Sequence, residues 1–101
     1  MKLSVKGVNL DGQKKGFLNR CTEKIQNASP INAFLKVHVE KKEDHYEGHV
    51  FIVSSSETFC TCEQATSFEE LLQKMKIHIL EQLLLWKQKR LFPKNTEEEV
   101  A

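Results

Sequence analysis

Cys60 and Cys62, with one residue between them, are the side chains in this chain whose spacing first suggests chemistry. Two thiolates so close could hold a soft metal. A structural zinc site takes four ligands, however, and no second close pair of Cys or His completes the set. On a strand, residues two apart point the same way. The reading that follows is two small thiols packing the core beside helix stripes. The histidines His38, His45, His49 and His78 are scattered, with no Ser or Cys nucleophile in a recognisable arrangement. The glycines at 7, 12, 16 and 48 make no phosphate-binding loop. With no catalytic constellation, the chain reads as a non-enzyme that uses no metal and no cofactor.

The cations carry more information. The 101 residues hold fifteen Lys and Arg against fourteen Asp and Glu, a formal charge of +1. That near-zero value is a cancellation between segments. Residues 1–9 carry +2 and residues 10–29 carry +2, from Lys14, Lys15, Arg20 and Lys24 against Asp11 and Glu23. Residues 30–66 carry −3, residues 67–92 carry +2, and residues 93–101 carry −2. Beyond Glu81 the last turns of residues 67–92 hold Lys87, Lys89 and Arg90 with no acid. Cations in a last helical turn also stabilise the helix dipole, so each lysine alone has a purely structural explanation. Taken together, the two positive helical segments, residues 10–29 and 67–92, predict a basic helical face on a weakly acidic body, a footprint suited to phosphates.

The elements that position these charges follow from hydrophobic period. Leu3 and Val5 alternate with Lys2, Ser4 and Lys6, a period-two strand ending near Gly7 to Asn9. From about Gln13 the period lengthens: Phe17, Cys21, Ile25 and Ala28 form one helical stripe, stopped by Pro30. Ile31 to Glu40 is a second strand with Ala33, Leu35, Val37 and Val39 on one face. Lys41 to His45 is a charged turn. Tyr46 to Val53 is a third strand, apolar on both faces, and Ser54 to Ser56 is the next turn. Glu57 to Glu63 is a fourth strand, with Cys60 and Cys62 on one face and Phe59 and Thr61 on the other. Thr66 with Glu69, or Ser67 with Glu70, fits a capping box. A long helix then runs to about Phe92, with the stripe Phe68, Leu72, Met75, Ile79, Leu83 and Trp86.

The expected fold is therefore an α+β two-layer sandwich, β-α-β-β-β-α, with a four-stranded sheet and both helices packed on one face. One domain spans residues 1–92, and residues 93–101 read as a disordered acidic tail. No membrane span is expected, since the longest apolar runs are four residues, Val50 to Val53 and Leu83 to Trp86. Lys6, Gly7, Asn9 and Asp11 break any signal-peptide core, and three cysteines, an odd number, suit reduced thiols. The expected location is the cytoplasm.

At this point the chain resembles the ribosome-associated translation inhibitors, or ribosome hibernation promoting factors. The resemblance covers about residues 1–90 and follows the order of the elements. Met1 to Gly7 is similar to the family's first strand, and Val39-Glu40-Lys41 to the end of its second. Cys60-Thr61-Cys62-Glu63 followed by Thr66-Ser67-Phe68 resembles the family's Ala-x-Ala-Glu-x-x-Asp-Met-Tyr. Gln82-Leu83 and Trp86-Lys87 resemble its Gln-Leu-x-Lys-aromatic-Lys helix end. The resemblance implies a short, divergent member without the extra C-terminal domain of long members. His78, Glu81 and Leu85 stand where Lys or Arg is usual, Asn27 where a second first-helix Lys is common, and Thr66 at the capping Asp.

What the resemblance implies is binding in the mRNA and tRNA channel of the small ribosomal subunit, silencing ribosomes in stationary phase or stress. The partner is then ribosomal RNA, not DNA and not a membrane. Lys24 matches a basic residue of the family's first helix and Lys87 one near the end of the second; Lys89 and Arg90 extend it. With Lys76 these are the expected RNA-binding residues. Five neutralised phosphates would give a slope of about −4 for log affinity against log salt. The alternative reading is a protein-interaction module. Phe34 and Phe59 fall on faces opposite their neighbours' core residues, so the outer sheet face could carry a partner or a weak homodimer.

Overall fold

The computed structural model of the protein describes residues 1–55 and 57–91, with side chains to residue 89. The elements are β1 (Lys2–Lys6), α1 (Gly12–Ala28), β2 (Phe34–Lys41), β3 (Tyr46–Val53), β4 (Thr58–Ala65) and α2 (Phe68–Leu91). This is the expected order. The expected acidic tail and the predicted helix end at Phe92 lie outside the described residues.

The sheet order is β1-β2-β3-β4. β2, β3 and β4 form an antiparallel meander. β1 lies parallel to β2, with Val5 beside Val39. A parallel pair cannot close through a tight hairpin, and the crossover it requires is α1. β1, β2 and β4 run in one sense, so α1 and α2 both return in the other. Gly7, at φ +76, turns the chain out of β1.

Local chemistry sets the helix ends. The Asp11 carboxylate accepts from the Lys14 N–H at 2.8 Å and caps α1. α1 stops at Ser29, extended ahead of Pro30. Of the two capping pairs, the structure uses Ser67 with Glu70: the Ser67 hydroxyl accepts from the Glu70 N–H at 3.1 Å.

Both helices bury their stripes against one face of the sheet. α1 supplies Leu18, Cys21 and Ile25; α2 supplies Phe68, Leu71, Leu72, Met75, Ile79 and Leu83. The strands answer with Leu35, Val37, Val39, Val50 and Ile52. Gly48 lets α2 approach closely, since a Cβ there would collide with the Met75 sulfur. Among the described residues, no helix is long and apolar enough to cross a membrane.

One expectation is reversed. Cys60 and Cys62 are exposed on the outer face, while Phe59 and Thr61 are buried under the helices. Period-two alternation gives two faces without saying which is inside, and a shift of one residue exchanges them. The register decides: Phe59 pairs with buried Ile52, and Cys60 with exposed Phe51. The Phe59 ring also packs edge-on against Trp86 at 5.9 Å, burying far more apolar surface than a thiol could. Phe34 does lie on the outer face.

Candidate nucleic-acid interface

The groove between α1 and α2 gathers the basic side chains. Phe17, Arg20, Cys21, Lys24 and Lys76 line a hollow of about 190 Å³. Arg20 and Lys24, four residues apart on α1, share one flank of that helix. Lys76 faces them from α2. The Arg20 guanidinium lies 5.9 Å from the Phe17 ring centre, so the aromatic face supports it beside the groove.

Cys21 forms the floor, its thiol donating to the Leu72 carbonyl across 3.7 Å. Burial pushes this thiol up, while Lys76, Lys24 and Arg20 pull against that from nearby. Those opposing pulls mark the three cations as neighbours around one point. Among the described residues, none of the three has a carboxylate partner. Three close cations without an anion repel one another, and a bound phosphate relieves that repulsion.

The other expected positions divide. Lys87 is exposed and lies eleven residues beyond Lys76. That is about three turns, on the same flank, roughly 16 Å further along α2. Trp86 meets Phe59 near the start of β4, so the turns that follow it run past the sheet. Lys89 is exposed on those turns, but lies about 140° around the helix from Lys76, off the groove line. The Arg90 side chain lies outside the described residues. The structure therefore brings Lys24 and Lys76 together, extends them with Lys87, and adds Arg20. Arg20 was legible as the residue four before Lys24, on the same helix flank.

The opposite flank of α2 is engaged with the protein itself. Lys74 donates to the Gln64 carbonyl at 2.9 Å, and Gln82 to the Cys60 carbonyl at 2.7 Å. Between them His78 pairs with Glu63, which also accepts from the Thr61 hydroxyl. Burial raises the Glu63 carboxyl, but the Thr61 and His78 hydrogen bonds with the charges of His78 and Lys74 outweigh it and hold the group low. These residues, four apart along the helix, seal the free edge of β4, which would otherwise present open backbone groups.

Among the described residues, no group of three or more His, Cys, Asp or Glu is placed to hold a metal. Cys62 lies 3.4 Å from the His49 imidazole, with no third ligand converging.

No family model and no curated protein matches this chain in sequence. Solved structures do match its fold. A ribosomal subunit interface protein from Coxiella burnetii superposes with a TM-score of 0.69, at 9% identity, over 87% of this chain and 97% of that one. The N-terminal domain of Thermus thermophilus Protein Y superposes with a TM-score of 0.61, at 7% identity, over 81% of this chain and 91% of that one. At such identities the likeness shows a shared fold, and it is the fold that the resemblance to the hibernation factors implies.

Proposed function

We propose that this chain is a ribosome-binding translation inhibitor, a divergent relative of the hibernation factors. In this reading it occupies the mRNA and tRNA channel of the small subunit and works in the cytoplasm, in stationary phase or stress, by occlusion without catalysis. The observation that carries the reading is the cluster of Arg20, Lys24 and Lys76 around one groove, with no carboxylate partner among the described residues. The shared fold supports it, since the matching structures are described as a subunit interface protein and a Protein Y domain.

The groove offers a short row of cations: Arg20, Lys24 and Lys76 together, then Lys87 about 16 Å along the same flank. Such a row suits the phosphate backbone of folded RNA, which is recognised by shape more than by base sequence. The small net charge favours a shaped site over nucleic acid at large.

Sedimentation of purified small subunits with the protein tests the proposal. The protein travels with the subunit at low salt and leaves it as salt rises. About four phosphate contacts give a log–log slope between −3 and −4. A protein that stays at the top of the gradient at low salt overturns the reading.

A further inference from the structure

The sheet face opposite the helices carries a second arrangement that the groove does not use. Strand register places Lys2, Lys36, Phe51 and Cys60 in one row across the four strands. Ser4, His38, His49 and Cys62 form the next row. Phe51 is 40% exposed, and Phe34, beyond it, is 48% exposed. Lys36, His38, His49 and Phe51 line a hollow of about 200 Å³. The two imidazoles stand 6.1 Å apart and tilted by 59°, so the hollow is walled by rings and closed at one side by an ammonium group.

The charges on this face are unevenly satisfied. At its far end Glu40 pairs with Lys42 and His38, and Glu47 pairs with His45. Lys2 and Lys36 are register partners on adjacent strands, like charges side by side. Neither has a carboxylate partner among the described residues. The uncompensated charge in the row of Phe51, from Lys2 and Lys36, is therefore positive. A second copy packing on the rings would set cations against cations. A neutral apolar segment would leave them uncompensated. A single strand of nucleic acid offers a flat π face to Phe51 and phosphates to the lysines, the combination that single-strand binding surfaces use.

We infer that this outer face is a second RNA site, which takes a single-stranded segment with one base stacked on Phe51 and the adjoining phosphates on Lys36 and Lys2. The choice of RNA over DNA rests on the function proposed above; the stacking site stands on the sheet face alone. The molecule then holds folded RNA in the helix groove and an unpaired strand on the opposite side.

Fluorescently labelled octauridylate, titrated at low salt, tests this. Phe51→Ala weakens its binding by about tenfold, the loss of one stacked base. Lys36→Glu weakens it as well, and by more than Lys24→Glu does, although the two variants change the charge equally. In the wild-type protein, octauridylate shifts the ring-proton resonances of His38 and His49, a readout that needs no variant. Unchanged octauridylate binding by Phe51→Ala, or unshifted histidine resonances, overturns the second site and leaves the groove reading standing. Tighter binding of an octathymidylate DNA overturns the assignment to RNA. Self-association of the wild type that Phe51→Ala abolishes, without octauridylate binding, makes a second copy the occupant and overturns the proposal. Failure of the small-subunit sedimentation test with retained octauridylate binding removes the groove reading alone.

Discussion

The two flanks of α2 carry similar side chains in different circumstances. Toward β4, Lys74 reaches the Gln64 carbonyl, His78 the Glu63 carboxylate and Gln82 the Cys60 carbonyl. Toward α1, Lys76 meets Arg20 and Lys24 with no anion among the described residues. Lys74 and Lys76 are two positions apart, and each adds one charge to any count along the chain. One closes a sheet edge, and the other stands in a field of its own sign. A lysine's residue type therefore says little about its role. What it faces across the tertiary structure says most of it.

The sharpest way to break this comparison is to reverse charges on each flank. Lys24→Glu with Lys76→Glu lowers affinity for the small subunit by about 50-fold or more near 0.1 M salt, because two phosphate contacts become repulsions. Thermal stability stays the same or rises slightly as the cation cluster is relieved. Lys74→Glu, equal in charge change per site, leaves affinity within a few-fold. A similar loss of affinity in Lys74→Glu would mean that net charge, and not the groove, governs binding.

The opposite test weakens the sealed flank. His78→Ala with Gln82→Ala removes two links between α2 and β4 and destabilises the fold by about 2 kcal/mol. For a chain of this size that lowers the melting temperature by roughly 10 °C. Affinity for the subunit, measured well below melting, is retained. Unchanged melting would show that the edge contacts contribute nothing.

The smallest effect is a pH dependence confined to the same flank. Glu63 is held low in the folded protein by Thr61, His78 and Lys74 against the opposing effect of burial. A carboxylate whose folded pKa lies below its unfolded value contributes stability that is fully present above the unfolded value. That contribution is lost as pH falls through the folded value. Glu63→Gln is therefore less stable than wild type by about 1 kcal/mol at neutral pH. The gap closes below the usual carboxylate range. Denaturant melts of both proteins at neutral and acidic pH check the sign, and a gap that widens in acid contradicts it.

Part of the candidate site was readable residue by residue. Lys24 and Lys76 each lie beside an apolar stripe, and so on a helix flank. Their convergence was not readable, because the sequence distance between them, 52 residues, is closed only by packing α1 beside α2. Lys87 and Lys89 looked equivalent as neighbours in a basic helix end. Helical phase places one on the groove line and the other off it. His78 acquires its role from Glu63, fifteen residues earlier and on a different element.

By itself the sequence determined the order of elements, their approximate ends and the apolar face of each helix. Those depend on period, caps and proline, which act over a few residues. The tertiary structure alone decided which face of β4 lies inside. Alternation is symmetric between Phe59 with Thr61 and Cys60 with Cys62, and only pairing with β3 and the Trp86 contact break that symmetry. The same packing exposed Phe51 beside Lys36 on one side of the sheet and gathered Arg20, Lys24 and Lys76 on the other. A chain of nearly zero net charge thus presents uncompensated cations on two opposite faces.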